Sequence, residues 1–360
     1  MNSSSTIRRI KVSAVKVPMS QPHRTASGVI HESPLVLLDI EMSDGVVGHS
    51  MIFTYTAAAL KPTAELIINM EPLLIGQLLA PRDLHRTLSQ RFRLLGTQGL
   101  VGMALSAIDM ALWDALARTH GVSLVQLSGG VEKQLPAYGA TGYDGAKQSA
   151  MVAEQWAKQE FKGVKAKIGY PTWQEDLAVI RSIRNAVGPD MAIMVDYNQS
   201  LTPHMAINRL QMLAEEDLTW VEEPTLAHDY VGHAIIAEHI KTPIQCGENW
   251  WGVPDMRLAI EAKSSDYMML DVMKIGGVTG WLQAAELAGV NGIMLSNHLW
   301  PEISAQLLSL TPTAHWLEYA DWWNPILEAP LQIEGGLTVP QCSVGTGIKW
   351  NAAAVERYLV

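Results

Sequence analysis

The stretch 163–249 contains four polar segments, each at the downstream end of a short apolar run: Lys165-Ala166-Lys167, Asp196-Tyr197-Asn198, Glu222-Glu223-Pro224 and Gly247-Glu248-Asn249. The acidic positions 196, 222 and 248 follow one another at intervals of 26 residues. One strand, one helix and two short loops occupy about that many residues. We therefore predict parallel βα units that place Asp196, Glu222 and Glu248 at the carboxyl ends of three successive strands, on the face where barrel enzymes carry their active sites.

The same period continues downstream, where three further apolar runs end in Asp271, in His298 and in Glu318. Charged residues make up 17% of the chain, so chance placement would give one or two ionisable strand ends rather than seven in succession. Amphipathic helices such as 173–187 and 204–216 lie between the strands. The predicted barrel strands are 135–140, 163–168, 191–196, 218–223, 243–247, 267–271, 292–296 and 315–318.

The residues before and after the barrel predict two further parts. Residues 7–55 indicate antiparallel β-structure with a hairpin turn at Asp44-Gly45, and helical periodicity follows over 57–121. The segment 18–32 is too long for a hairpin loop, which predicts a functional loop, a candidate lid. We predict an α+β capping domain at 1–130, a barrel domain at 131–321, and a mixed tail at 322–360 that returns to the first domain.

Composition argues against several classes of protein. The 360 residues are 48% hydrophobic, enough for a barrel of about 250 residues and a smaller domain. The net charge of −10 argues against nucleic-acid binding. Two cysteines, Cys246 and Cys342, without a CxxC spacing predict neither a disulfide framework nor a structural zinc site. No signal-peptide pattern and no apolar run of about 18 residues is found, so we expect a cytoplasmic protein without membrane association.

Together the motifs resemble the enolase superfamily, and within it the mandelate racemase and muconate lactonizing enzyme family. The segments 167–170, 195–200 and 273–281 carry the resemblance most closely, and it extends over essentially the whole chain. It implies an α/β fold: a modified TIM barrel, (β/α)7β, with an N-terminal α+β capping domain that the C-terminal tail completes. It also implies a small-molecule carboxylate substrate and a homo-oligomer, which is an octamer in this family.

The resemblance assigns Asp196, Glu222 and Glu248 to one Mg²⁺ ion, for which Mn²⁺ can substitute. Oxygen ligands suit a hard cation of this kind. Taken alone, Asp196 and Asn198 would more often mark a turn at a strand end, and a lone His298 would usually be a core histidine. The acidic residues at the matching positions 222 and 248 favour a metal ligand at Asp196 over a turn. Asp271, one strand before His298, favours a catalytic pair over a core histidine.

The resemblance further implies that Lys167 and His298 exchange the α-proton of a carboxylate from opposite faces, with Asp271 orienting His298. Lys165 and a protonated Glu318 would hold the carboxylate group itself. The proximity of Lys165 also predicts a lowered pKa for the amine of Lys167, since like charges disfavour each other.

Seven further residues are predicted to support the site or to line the substrate pocket: Asn198, Lys274, Tyr55, Thr141, His23, Arg24 and Trp300. The lid segment carries His23 and Ser27 where mandelate racemases carry aliphatic residues. Ala140 stands in place of a serine that contacts the substrate carboxylate, with Thr141 as a candidate substitute. These departures concern the substrate rather than the chemistry.

Four functions are compatible with these residues. The first is racemisation or epimerisation of a mandelate-like 2-hydroxy acid through an enediolate. The second is dehydration of an acid sugar, an aldonate or aldarate, with the same two bases, and the polar lid favours it. A cycloisomerase using Lys274 as the opposite base ranks lower, because the Asp271–His298 pair argues against it. A non-catalytic relative ranks last, since no predicted ligand or base is missing.

Overall fold

A three-stranded antiparallel sheet opens the chain, and the computed structural model describes residues 5–25, 28–340 and 343–360. Its strands are β1 (Ile7–Thr25), β2 (Gly28–Met42) and β3 (Val47–Phe53), with β2 in the centre. Residues 33–38 of this central strand are all buried. The turn predicted at Asp44-Gly45 joins β2 to β3, and Gly45 takes a φ of +87°, which costs glycine little.

The segment 18–32, predicted to be a long loop, is the far part of the β1–β2 hairpin. Pairing continues to Pro18 opposite Glu32, is interrupted, and resumes with His23 opposite Ile30. The interruption contains Pro22, which has no N–H group to donate to the ladder. The predicted loop is therefore an irregular strand pair, which can hold a proline and unpaired residues, and the role of the segment as a lid stays a prediction. Ser27 lies outside the described residues, as does Cys342.

Five helices accompany this sheet: α1 (Ala57–Asn69), α2 (Glu71–Leu74), α3 (Pro81–Arg91), α4 (Gly99–His120) and α5 (Leu124–Leu127). The longest, α4, packs on β3 and ends at Gly121, which has a φ of +66°, as the sequence predicted. By length and composition α4 could cross a membrane, yet 83% of its most apolar window is buried inside the fold, as in a core helix.

The second sheet consists of eight parallel strands: β4 (Ala137–Thr141), β5 (Gly163–Lys167), β6 (Ala192–Asp196), β7 (Val221–Glu222), β8 (Ile244–Cys246), β9 (Tyr267–Asp271), β10 (Leu295–His298) and β11 (Leu317–Glu318). Strands β4 to β10 are neighbours in chain order, and β11 pairs with β4. A bridge between Leu295 and Ala314 joins β10 to the approach of β11. The sheet therefore closes into a barrel, and the predicted fold class is confirmed.

One helix follows each of the first seven barrel strands, which is the (β/α)7β order: α6 (Gly145–Lys158), α7 (Trp173–Val187), α8 (Pro203–Met212), α9 (Tyr230–His239), α10 (Val253–Ala262), α11 (Gly277–Asn291) and α12 (Pro301–Ser309). Helix α7 has the predicted bounds because Thr172 and Glu175 form a capping box.

The tail contains a 3-10 turn (Asn324–Ile326), a short hairpin of β12 (Ile333–Glu334) and β13 (Leu337–Thr338), and helix α13 (Ala352–Tyr358). Arg118 Nη2 of α4 donates to the carbonyl of Ile348 at 2.6 Å. Leu359 forms a β-bridge with Val15 of β1. The end of the chain therefore lies against the N-terminal domain.

Candidate active site

The carboxyl ends of the barrel strands bring the ionisable residues together. Sheet register places Lys167 beside Asp196 and Asp196 beside Glu222, and on the other side it places His298 beside Asp271. All of these side chains are buried. Burying isolated charges is costly unless each has a partner of opposite sign, and the cluster meets this condition through a chain of ion pairs.

Lys165 is held between two carboxylates. Its Nζ donates to Glu222 Oε1 at 2.7 Å and lies 2.7 Å from Glu318 Oε1, and it also faces the ring of Tyr138 at 5.6 Å. Burial disfavours the ammonium form, but the two carboxylates outweigh burial and hold the pKa of Lys165 well above its ordinary value. Lys165 is therefore a fixed positive charge.

Lys167 lies one pleat further along β5 and has different partners. Its Nζ donates to Asp196 Oδ2 and to Asn198 Oδ1, both at 2.8 Å. Asn198 is in turn held by its own backbone N–H, which donates to Asp196 Oδ1 at 2.7 Å. Burial and Lys165 lower the pKa of Lys167, but Asp196 and Glu248 together outweigh them, and the pKa is raised. The predicted lowering was wrong, because Asp196 raises the pKa of Lys167 more than Lys165 lowers it.

His298 and Asp271 form the predicted pair. His298 Nδ1 lies 2.8 Å from Asp271 Oδ2, and His298 Nε2 lies 3.1 Å from Glu248 Oε2. The other oxygen, Asp271 Oδ1, accepts from the backbone N–H of Met273 at 2.7 Å and from Trp300 Nε1 at 2.9 Å. Burial lowers the pKa of His298, but Glu248 and Asp271 outweigh burial and raise it.

The surroundings of Glu318 favour its ionised form over its protonated form. Burial raises its pKa, but Lys165 and His298 act more strongly, and the pKa of Glu318 lies below its ordinary value. Glu318 Oε2 accepts from the backbone N–H of Leu299 at 2.9 Å, which favours the charged form further. The protonated Glu318 expected from the family resemblance is therefore not the form that these surroundings favour.

The three predicted metal ligands have the chemistry that Mg²⁺ requires. Asp196, Glu222 and Glu248 are buried at neighbouring strand ends and offer carboxylate oxygens. Burial, Asp196 and Glu248 together keep the pKa of Glu222 well above its ordinary value, although Lys165 opposes them, so the three acids are close enough to repel one another. Each faces a cation, and within the described residues no three acidic, histidine or cysteine side chains are grouped to hold a metal. The chemistry of the donor set, three buried carboxylates on neighbouring strand ends, fits Mg²⁺.

The predicted pocket residues divide into two groups. A cavity of about 250 Å³ reaches Lys165, Lys167, Glu248, His298 and Glu318, and His23 and Thr141 also line it. Five predicted pocket or supporting residues lie outside its lining: Asn198, Lys274, Tyr55, Arg24 and Trp300.

The contacts of those five residues explain why they lie outside the lining. Asn198 supports the site from behind, through its hydrogen bond with Lys167. Trp300 stands behind Asp271, stacked on Trp323. Arg24 turns to Asp144 at 3.2 Å on the rim. Lys274 lies over the ring of Tyr55 at 5.0 Å. Three predictions are therefore corrected, since none of these side chains lines the cavity: the pocket walls Tyr55 and Trp300, and the pocket residue Arg24.

Asn249 contacts the predicted site, although the sequence pattern assigned it no role. Its Nδ2 donates to Glu248 Oε1 at 3.0 Å and to Glu223 Oε2 at 2.8 Å, and its Oδ1 accepts from Lys274 Nζ at 2.7 Å. It therefore orients one predicted metal ligand. Its position directly after Glu248 in the repeated strand-end pattern was the signal that could have identified it.

The barrel fold, the capping sheet and the acid-rich strand ends together define an enzyme of the enolase superfamily, whose members use Mg²⁺. Family profiles match both parts of the chain: the mandelate racemase / muconate lactonizing enzyme N-terminal domain over residues 7–129, and the enolase C-terminal domain-like family over residues 148–354. The chain belongs to the mandelate racemase / muconate lactonizing enzyme family.

Relatives of known structure or activity differ in the reactions that their names record. An enolase from Bradyrhizobium, solved with magnesium and mandelic acid, is 43% identical, with both chains covered at 100% and a TM-score of 0.96. The L-talarate/galactarate dehydratase of Salmonella typhimurium is 26% identical over 92% of this chain and 85% of its own. The D-galactarolactone cycloisomerase of Agrobacterium fabrum is 29% identical over 97% of this chain and 99% of its own.

Proposed function

We propose that the protein is a Mg²⁺-dependent racemase or epimerase that abstracts and returns the α-proton of a 2-hydroxy acid. The observation that carries this proposal is the pair of bases, Lys167 on β5 and His298 on β10, which reach one cavity from separate strands. A second base on the opposite face is what inversion at a carbon requires.

Each base is supported by a different neighbour. Once the ammonium of Lys167 has released its proton to solvent, the neutral Nζ takes the α-proton from one face, and the imidazolium of His298 supplies the proton on Nε2 to the other face. Asp271 bonds His298 Nδ1 at 2.8 Å, which fixes the ring orientation and stabilises the imidazolium. Well-placed general acids and bases contribute about 10²- to 10⁴-fold, roughly 3 to 5 kcal/mol.

The rest of the acceleration must come from stabilising negative charge, since enzymes in general supply about 8 to 23 kcal/mol. Lys165, held by Glu222 and Glu318, places a fixed cation in the cavity for the substrate carboxylate. An anionic substrate beside Glu318 raises the pKa of that carboxyl, because like charges repel, and so favours the form that donates a hydrogen bond. Asp196, Glu222 and Glu248 would hold Mg²⁺, which would supply Lewis-acid stabilisation of the developing charge.

The comparisons support the 2-hydroxy acid as substrate. The Bradyrhizobium relative, 43% identical over the full chain, was solved with mandelic acid, which is such an acid. Thr141 lines the cavity, and its hydroxyl is buried without a hydrogen-bond partner among the described residues. It is therefore available to the substrate carboxylate beside Ala140, as the substitution in the sequence suggested.

Dehydration of an acid sugar is the second candidate. Gln155, Gln159 and Asn324 line the outer part of the cavity, which favours a hydroxylated substrate. The same Lys167 would take the α-proton, and His298 would give a proton to the departing β-hydroxyl. The Salmonella relative carries a dehydratase name at 26% identity.

Proton exchange in D₂O separates these functions. The Mg²⁺-loaded protein is incubated with each enantiomer of 2-hydroxy acids and with acid sugars, and deuterium at the α-carbon is followed by NMR. Exchange with inversion is expected, whereas a 2-keto-3-deoxy product would identify the dehydratase. Absence of exchange from every acid, with metal bound, would refute both.

The two-base assignment has an internal control. His298→Asn is expected to abolish exchange from one enantiomer and to spare part of the exchange from the other, because Lys167 still acts on its own face. Equal losses from both enantiomers would contradict the assignment of one base to each face.

We also propose a homo-oligomer in the cytoplasm. Between α3 and α4 the side chains of Leu94 and Leu95 are highly exposed, and exposed apolar groups of this kind mark interaction surfaces. Light scattering should therefore give a mass of at least twice the 39.4 kDa of one chain.

A further inference from the structure

Asp271 is held on the side away from His298 by a tryptophan and by the backbone. Asp271 Oδ2 faces His298 Nδ1 at 2.8 Å. Asp271 Oδ1 accepts from the backbone N–H of Met273 at 2.7 Å and from Trp300 Nε1 at 2.9 Å, and both side chains of the latter pair are buried. Rotation of a carboxylate about its terminal bond is soft. The two donors on Oδ1 therefore fix the carboxylate plane, so that Oδ2 stays directed at the imidazole.

The backbone takes an unfavourable conformation to place this indole. Leu299 and Trp300 are consecutive non-glycine residues with φ angles of 51° and 56°, in the left-handed region. The N–H of Leu299 donates to Glu318 Oε2 at 2.9 Å. The carbonyl of Leu299 accepts from Asn297 Nδ2 at 2.7 Å and from Ser304 Oγ at 3.0 Å. Strained backbone persists where the surroundings over-determine it, so contacts of the site itself, rather than local preference, place the indole.

Packing alone does not account for the indole N–H of Trp300. Its ring stacks on Trp323 with centroids 5.0 Å apart, and a phenylalanine ring would keep most of such a stack. Trp323 Nε1 donates to a different carboxylate, Glu302 Oε2 on α12, at 3.2 Å. Glu302 does not line the active-site cavity. The two indoles therefore share one stack but bond different acids, which allows the hydrogen bond to be tested apart from the packing.

We propose that Trp300 is a positioning residue for one half of the proton transfer: through Asp271 it keeps the imidazole of His298 oriented with Nε2 as the proton-exchanging atom. Donation of Nδ1–H to the carboxylate leaves Nε2 to face the substrate. This inference rests on the proposed function, because it concerns the same two bases. Lys167 has its own partners, Asp196 and Asn198, so the effect of Trp300 is confined to the face of His298.

The test is Trp300→Phe, followed by α-deuterium exchange of each enantiomer in D₂O with the Mg²⁺-loaded enzyme. The probe is mandelate, or whichever 2-hydroxy acid the parent exchanges faster. The enantiomer that His298 deprotonates is the one whose exchange is abolished in His298→Asn. Racemisation requires both bases in each direction, so the exchange rates of the separate enantiomers, rather than the racemisation rate, distinguish the two faces.

Trp300→Phe is expected to lower kcat for exchange of the enantiomer that His298 deprotonates about tenfold. One hydrogen bond to a charged group accounts for an effect of that size. The KM of this enantiomer and the exchange of the other enantiomer should change less than about twofold, because Lys165 and Lys167 keep their contacts. A loss of packing alone would lower both exchange rates together.

Trp323→Phe is the matched control, since it removes the other indole N–H of the same stack. The ratio of the two exchange rates should stay within about twofold of that in the parent. Trp300→3-benzothienylalanine is the second variant, because it keeps the shape of the indole and has a sulfur atom in place of the N–H, so folding is preserved. It is expected to lower exchange of the same enantiomer by a similar factor.

Equal losses from both enantiomers, or no loss from either, in Trp300→3-benzothienylalanine would overturn the role of Trp300 and leave the proposed function standing. A change in the ratio of exchange rates in Trp323→Phe as large as in Trp300→Phe would also overturn it. No exchange of any 2-hydroxy acid by the parent would overturn the proposed function itself.

Discussion

Backbone strain is concentrated where single residues aim the functional groups. Asn198, Glu223 and Trp300 follow barrel strands and have positive φ angles of 44°, 37° and 56°. Non-glycine residues pay roughly 1 to 3 kcal/mol for such conformations, and they persist where other contacts compensate. Asn198 is held by its hydrogen bonds to Asp196, and Trp300 by its hydrogen bond to Asp271. The strain therefore orients the groups that support Lys167 and His298.

The hydroxyl of Thr141 gives a prediction with two opposite readouts. Thr141→Val is expected to raise KM for the substrate about fivefold to tenfold, because one hydrogen bond to the carboxylate is lost. The free energy of unfolding of the ligand-free protein should stay equal or rise by up to about 1 kcal/mol, since a buried hydroxyl without a partner is removed. Steady-state kinetics and urea unfolding measure the two effects.

Thr141→Ser is the matched control, because it keeps the hydroxyl and should keep KM close to that of the parent. A raised KM for Thr141→Ser, or an unchanged KM for Thr141→Val, would show that the hydroxyl does not contact the substrate.

Asp109 predicts how stability depends on pH. It is buried in α4 and accepts from the backbone and the hydroxyl of Thr279, in the first turn of α11. Burial raises its pKa from 3.8 to about 7, although the Thr279 hydrogen bonds and Arg82 oppose the change. A raised pKa in the folded state means that the folded protein binds a proton that the unfolded chain has lost, so stability falls as pH rises from about 4 to about 7.

The loss from this group alone is on the order of 4 kcal/mol. Asp109→Asn is expected to remove this pH-dependent loss. In urea titrations, the free energy of unfolding of the variant should fall less between pH 5 and pH 8 than that of the parent. Asp83→Asn, at an exposed aspartate of α3, should leave the decline unchanged. An equal fall in the free energy of unfolding in the parent and in Asp109→Asn would refute the assignment of this pH dependence to Asp109.

At the scale of elements, β3 packs against α4 with no room between backbones. A Cβ atom at Gly48 would lie 2.0 Å from the carbonyl oxygen of Ala111 and 2.7 Å from the N atom of Ala115. Overpacking of this kind costs about 1 to 3 kcal/mol and occasionally more. Gly48→Ala is therefore expected to lower the free energy of unfolding by at least about 3 kcal/mol in urea titrations.

Gly45 supplies the comparison, since its Cβ would meet open space but its φ of +87° is unfavourable for alanine. Gly45→Ala should cost about 1 to 2 kcal/mol. A smaller loss of unfolding free energy for Gly48→Ala than for Gly45→Ala would mean that β3 and α4 move apart easily.

The whole molecule is a scaffold that concentrates negative charge at one end of the barrel. Mg²⁺ binding at Asp196, Glu222 and Glu248 should stabilise the folded state by about 2.7 kcal/mol at a hundredfold excess over Kd. Thermal unfolding should therefore shift upward on addition of Mg²⁺ and return on addition of EDTA. Glu222→Gln should lose most of the shift, whereas Glu154→Gln, at an exposed site on α6, should retain it. A shift of equal size in Glu222→Gln would place the bound metal elsewhere.

Sequence periodicity predicted most of the barrel because the pattern is local and repeats. A strand, a helix and two loops occupy nearly constant length, so the ionisable residues at the strand ends could be identified from spacing alone. Strand bounds differ by a few residues, as at β7, where the predicted 218–223 is reduced to Val221–Glu222. The antiparallel pairing was predicted, but the segment 18–32 was expected to be an unpaired loop, since length alone does not distinguish a long loop from an irregular strand pair.

The sequence by itself determined the order of the βα units, the capping domain and the residue types that face the cavity. Only the tertiary structure decided which cation faces which carboxylate, that Trp300 supports Asp271 instead of lining the pocket, and that Lys167 has a raised rather than a lowered pKa. The physical reason is that charge interactions and burial depend on distances across the barrel. Residues far apart in the chain set those distances, and no local pattern records them.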